Sequence, residues 1–294
     1  MRTKTKSTIL KITNAIGLAI WTCGILLLVQ LGFSFLFAWL LKILPFHIPS
    51  AAAQMIFSLI SYTLAAVVIF KVPPLVQKLW LKKHLAKNPN NTKNLNKTDL
   101  TVSKSELGLN GLPTWTDIGL APIGLVAHIL LAALLTFLFT IFPWFNANET
   151  QNVGFNSALL TSDRVFGFIT LIIIAPIAEE LIFRGYLYVK IKNLFFKKSA
   201  NTNSLPEQAA QKTTKRRSKY NHRELIAIAI ATFITSLAFG IMHGQWNVGI
   251  NVFTMSIVLC IMREITGSIY SGILLHMLKN AIAFYLLYIT TLGF

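Results

Sequence analysis

Seven times along this chain a run of apolar residues reaches the length that crosses a bilayer, roughly at 14–44, 51–70, 117–143, 165–189, 225–243, 248–263 and 268–291. A spanning helix needs about 20 such residues, because backbone polar groups in lipid must find their partners within the segment. The pattern predicts an all-α fold, a polytopic bundle of transmembrane helices. The sixth run is short. The first is long enough to include an interfacial turn, so an eighth helix has room there or within Val72–Leu85. Composition agrees, with 54% hydrophobic and 13% charged residues and a mean hydropathy of +0.61, against about 45–50% and about 25% in soluble domains. The basic N-terminus leads into an apolar run too long for a signal-peptide core, which reads as a retained anchor.

The formal charge of +17 first suggests a nucleic-acid partner. Its distribution suggests membrane lipid instead. Of the 27 Lys and Arg residues, only Lys42, Arg164, Arg184 and Lys279 lie outside the N-terminus, the segments Lys71–Lys104 and Lys190–Arg223, and Arg263. With alternating spans these basic segments share one face, so the N-terminus is expected in the cytoplasm and the C-terminus outside a cell membrane. Basic loops attract anionic headgroups at about 1 kcal/mol per residue, and no nucleic acid is needed. The loops holding "NPNNTKNLNK" (within Lys82–Lys104) and "SANTNSLPEQAAQKTTKRR" (around Ala200–Arg217) are polar and basic, and are expected to be disordered. The two cysteines, Cys23 and Cys260, lie in apolar runs and read as packing residues.

Against this background the fourth run is anomalous. "IIIAPIAEELIFRGY" places Glu179, Glu180 and Arg184 where an ionised group costs about 2.5–3.5 kcal/mol even on lenient scales. Adjacent helical residues point about 100° apart, so Glu179 and Glu180 are not expected to face one site. Glu180 and Arg184 have ion-pair spacing, which leaves Glu179 for a separate polar cavity. Span five ends in "SLAFGIMHG", with Phe239 four residues before His243. Span seven carries "GILLHMLKN", with His276 and Asn280 on one face. Taken singly, each has a structural explanation: an ion-pair knot between helices, an interfacial histidine, a hydrogen-bond pair between spans. Together they supply a carboxylate, two imidazoles and an amide, the groups needed to activate water and hold an oxyanion.

In that order and on separate spans, "EELIFR" (EExxxR), "FGIMH" (FxxxH) and "HMLKN" (HxxxN) resemble the CPBP family, also called Abi. That family includes the type II CAAX prenyl proteases and bacterial proteins tied to bacteriocin processing and self-immunity. The motifs fall within about 165–291. They sit in a region 117–294 that reads as the protease core, preceded by an N-terminal anchor region, 1–116, with its basic loop. The resemblance implies an intramembrane endopeptidase acting on a peptide or protein at the membrane. Glu179 would be the general base and His243 would help activate the water. His276 and Asn280 would form the oxyanion site, supported by Glu180, Arg184 and Phe239. Members are often labelled metalloproteases, but the mechanism implied is a cofactor-free, glutamate-dependent one. The alternative is zinc held by Glu179, His243 and His276. Neither a cysteine ligand nor an H-E-x-x-H helix supports it.

Two other functions fit a polar cluster in lipid: a non-catalytic immunity or binding protein, and a small transporter. One position strains the protease reading. At about 1.5 Å per residue, Glu179 and His276 lie at similar depths, roughly 8 and 12 Å from the cytoplasmic edge. His243, twenty residues after Arg223, is expected near the opposite surface.

Overall fold

Among the residues that the computed structural model describes (2–46, 48–87, 102–147, 149, 161–196 and 221–288), all regular structure is helical. Helices α1 (Arg2–Ile43) and α2 (Ser50–Lys87) precede a one-turn helix, α3 (Lys104–Leu107), and α4 (Trp115–Phe139). A continuous helical stretch follows: α5 (Thr161–Phe168), a first π-helical segment (Ile169–Ile174), α6 (Ala175–Glu180), a second π segment (Leu181–Leu187) and α7 (Tyr188–Phe195). The chain ends in α8 (His222–Ile241), α9 (Trp246–Thr266) and α10 (Tyr270–Tyr288).

Seven of these stretches are long and apolar enough to span a membrane. The regions with room for an eighth helix extend α1 and α2 instead, and α2 runs on through Pro73 and Pro74. The helical part of α2 also covers residues 82–87, and Ser103 opens α3 with a reciprocal capping box to Glu106. The expected disorder therefore fails at both ends of that loop, because the helix and its cap satisfy the local backbone. Residues 88–101 and the Ala200–Arg217 loop lie outside the described residues.

Large apolar side chains stand on the outer surface, among them Phe35, Leu130, Phe137 and Ile141. In water such a belt would drive association; facing lipid it is the expected covering. Inside, small residues let the helices approach. A Cβ on Gly240 of α8 would lie 2.8 Å from the Gly249 carbonyl oxygen of α9, the close crossing that small residues allow between membrane helices.

One end of the bundle is closed by a charged layer. Lys190 reaches Glu106 at 3.3 Å, and Arg263 donates to the Glu106 carbonyl at 2.9 Å. Glu264 accepts from Tyr188 at 2.9 Å and pairs with Lys192. Leu107 of α3 packs on Gly185, where a Cβ would meet it at 3.1 Å.

Gly240→Ala should lower stability by about 1–3 kcal/mol, since backbone and not a flexible side chain must move. Thermal unfolding in detergent checks this against Gly17→Ala, whose new methyl meets nothing within 4 Å. Equal melting of the two variants would contradict the close crossing.

Candidate active site

The EExxxR spacing works as an ion pair. Arg184 Nη1 donates to Glu180 Oε1 at 2.9 Å, with both side chains 1% exposed or less. The guanidinium also lies 4.4 Å above the Phe239 ring, which adds a cation–π contact in a dry setting. The same Glu180 oxygen lies 3.0 Å from His276 Nδ1. A carboxylate that already accepts from arginine can only accept again, so His276 Nδ1 carries the proton. Gly272, one turn earlier on α10, makes this approach feasible: a Cβ there would lie 3.1 Å from Glu180 Oε2.

Fixing Nδ1 directs the other ring nitrogen. His276 Nε2 lies 3.8 Å from Glu179 Oε2. The two adjacent carboxylates therefore do meet at one site, contrary to the 100° argument. They diverge along α6 as expected, but α10 inserts an imidazole whose two nitrogens meet one carboxylate each. Glu179 keeps 16% of its side chain exposed while Glu180 keeps none.

FxxxH has a different cause. At the end of α8 the His243 backbone N–H turns back to the Gly240 carbonyl, leaving the Phe239 carbonyl without its helical donor. The His243 ring fills that place, with Nδ1 2.9 Å from the Phe239 oxygen. A carbonyl only accepts, so Nδ1 is the protonated nitrogen and Nε2 is left with its lone pair. The Phe239 ring meets Phe183, His243 and His276 edge-on, at 4.9, 5.0 and 6.0 Å between centroids.

This contact corrects the expected depth of His243. Helix α8 packs against α7, whose Lys190 and Lys192 belong to the charged layer. Phe239 therefore lies level with Arg184. His243, one turn later, comes within electrostatic reach of Glu179.

HxxxN bridges two segments. Asn280 Nδ2 donates to the Leu171 carbonyl at 2.8 Å. That carbonyl lies in the first π segment, where Ala175 N–H bonds to Thr170. The next donor in sequence is Pro176, which has no N–H, so the amide of Asn280 replaces the missing partner. One of its two N–H groups is thereby committed.

Two participants escaped the sequence reading. Tyr62 of α2 donates to Glu179 Oε1 at 2.6 Å; a lone tyrosine in an apolar run carries no pattern that marks it. Lys279, beside Asn280 and one turn from His276, lies within electrostatic reach of Glu179 and His128; as a cation inside a span it was detectable. Cys260 packs against Arg184 and Cys23 near the Ala238 carbonyl, consistent with packing.

Among the described residues no three His, Cys, Asp or Glu side chains converge to hold a metal ion. Both imidazole Nδ1 atoms are turned to protein acceptors, which leaves each Nε2 as the free ring nitrogen.

Residues 161–282 match the family model described as type II CAAX prenyl endopeptidase Rce1-like. The chain carries an Rce1-like segment. That segment contains all three motifs. No curated protein and no solved structure matches the chain.

Arg184→Leu should cost about 3–5 kcal/mol, the usual penalty for leaving one partner of a buried pair uncompensated. Glu179→Gln should leave stability close to wild type, since Glu179 has no ion pair with arginine. Folded yield and thermal unfolding in detergent measure both; similar losses would show that the two carboxylates do not divide their tasks.

Proposed function

We propose that the protein is a glutamate-dependent intramembrane endopeptidase that hydrolyses a membrane-associated peptide or protein. The observation that carries this reading is the Glu179–His276 pair at 3.8 Å within the Rce1-like segment. That separation is too long for a direct hydrogen bond and is readily bridged by one water.

In this reading Glu179 Oε2 takes a proton from that water, and the hydroxide oxygen attacks the carbonyl carbon of the peptide bond. The carbonyl electrons move onto oxygen, where the uncommitted N–H of Asn280 stabilises the charge, while the unprotonated His276 Nε2 accepts from the water; losing one such oxyanion donor typically costs about 100–1000-fold. His243 Nε2 orients the water. As the C–N bond breaks, the proton on Glu179 passes to the departing nitrogen. Glu180 and Arg184 keep the His276 tautomer fixed. No metal takes part.

The substrate is a chain held at the membrane, and a prenylated CAAX tail is one candidate because the matched family is named for it. A bacteriocin leader or another small peptide is the other, with self-immunity as the accompanying role. The N-terminus and the two basic loops face the cytoplasm, against anionic headgroups.

Cells making wild type and Glu179→Gln at equal abundance should differ in their membrane peptidomes. Cleaved N- and C-termini should be present with the first and absent with the second, and a chelator should not remove them. Identical peptidomes, with a toxin-resistance phenotype surviving the mutation, would instead favour a binding protein. Loss of the termini with chelator would restore the zinc alternative.

A further inference from the structure

We propose that Tyr62 is a positioning residue for the reaction above, holding one oxygen of Glu179 so that the other faces His276. The proposal rests on the endopeptidase reading but uses a part of the chain outside the matched segment, 161–282.

The geometry begins with the buried face of α2. Ser58, Ser61, Ala65 and Ile69 recur at helical spacing and are all buried, so this face is turned inward, and Tyr62 lies at its edge. α2 packs along the first π segment and α6. Its register is pinned further on, where the Phe70 ring meets Tyr186 at 5.3 Å. From Phe70 back to Tyr62 is about 12 Å of helix, and from Tyr186 back to Glu179 about 10 Å. Two elements descending side by side over matching lengths bring the phenol to the carboxylate, where the bond measures 2.6 Å.

The consequence follows from what surrounds Glu179. It is flanked by Glu180 on its own helix, His276 and Lys279 on α10, and His243 after α8. The terminal torsion of a glutamate is broad, and the Lys279 ammonium attracts either oxygen. The Tyr62 hydroxyl occupies Oε1. Oε2 is then the oxygen left to take the proton of the attacking water.

The test needs no known substrate. A membrane-soluble carbodiimide reacts in apolar surroundings through a carboxyl oxygen that no other group covers. Full-length Tyr62→Phe, folded in detergent with unchanged thermal unfolding, should show several-fold faster modification of Glu179 by mass spectrometry. Glu180 serves as internal control and should not change. In cells the same variant should lower the yield of the wild-type cleaved termini by about 10–100-fold, the effect of one hydrogen bond to a charged group. Replacing Tyr62 with 4-aminophenylalanine, which keeps the ring and a donor, should restore both, and this second variant decides if Tyr62→Phe does not fold. Unchanged modification and unchanged termini in a folded Tyr62→Phe overturn the proposal. If the wild type yields no termini at all, the endopeptidase reading has failed, and the modification rates still decide whether Tyr62 controls Glu179.

Discussion

The buried carboxylate of Glu180 organises the remainder of the site. One of its oxygens serves both Arg184 and His276, and it does so with essentially no exposure to solvent. Taking such groups out of water costs several kcal/mol per ion, so the arrangement is stable only if the charge is matched and the donors are well placed. The match comes from one turn of helix, the second donor from α10, and the room from Gly272. What the pair achieves beyond its own neutrality is to protonate His276 on Nδ1. The nitrogen facing Glu179 is thereby fixed by a group that does not itself touch the substrate in the proposed reaction.

Three motifs share a spacing of four residues, yet the physics differs in each. In EExxxR the spacing makes an ion pair along one helix. In FxxxH it lets a side chain replace the helical donor lost where α8 ends. In HxxxN it sets two side chains on one face so that they reach different partners, Glu180 and the Leu171 carbonyl. The last depends on Pro176, which cannot supply the donor that Leu171 needs, and the two π segments flank α6 on either side. Such π segments frequently accompany functional sites. Here the first exposes a carbonyl that ties α10 to the fourth span.

Much of this could be read from the chain because hydropathy and helical spacing are local signals. The seven spans follow from run length, and the Glu180–Arg184 pair from its i,i+4 interval. The convergence of both carboxylates on His276 could not be read, because it depends on where α10 packs rather than on the rotation between neighbours. The place of His243 was misjudged for a related reason: the level at which α8 packs against α7 and the second π segment is set by tertiary contacts. Tyr62 was invisible, since α2 meets α6 only through the tertiary register set at Phe70. The proline at position 176 was an overlooked local sign, because a span interior offers no other donor to the carbonyl it deprives.

The unequal exposure of the two adjacent carboxylates follows from the same packing and has a chemical sense. Glu180 is sealed between Arg184, His276 and Gly272. Glu179 retains contact with its surroundings, and its neighbours are a phenol, an imidazole edge and a lysine rather than an arginine held at bonding distance. A group that accepts and returns a proton must remain reachable by water and must avoid a partner that locks its charge. A group that fixes a tautomer needs the opposite. In the proposed reaction, placing the two side by side on one turn of helix puts the fixed charge within one imidazole of the exchanging one, and the charged layer at Glu106 and Glu264 closes the end of the bundle nearest Arg184.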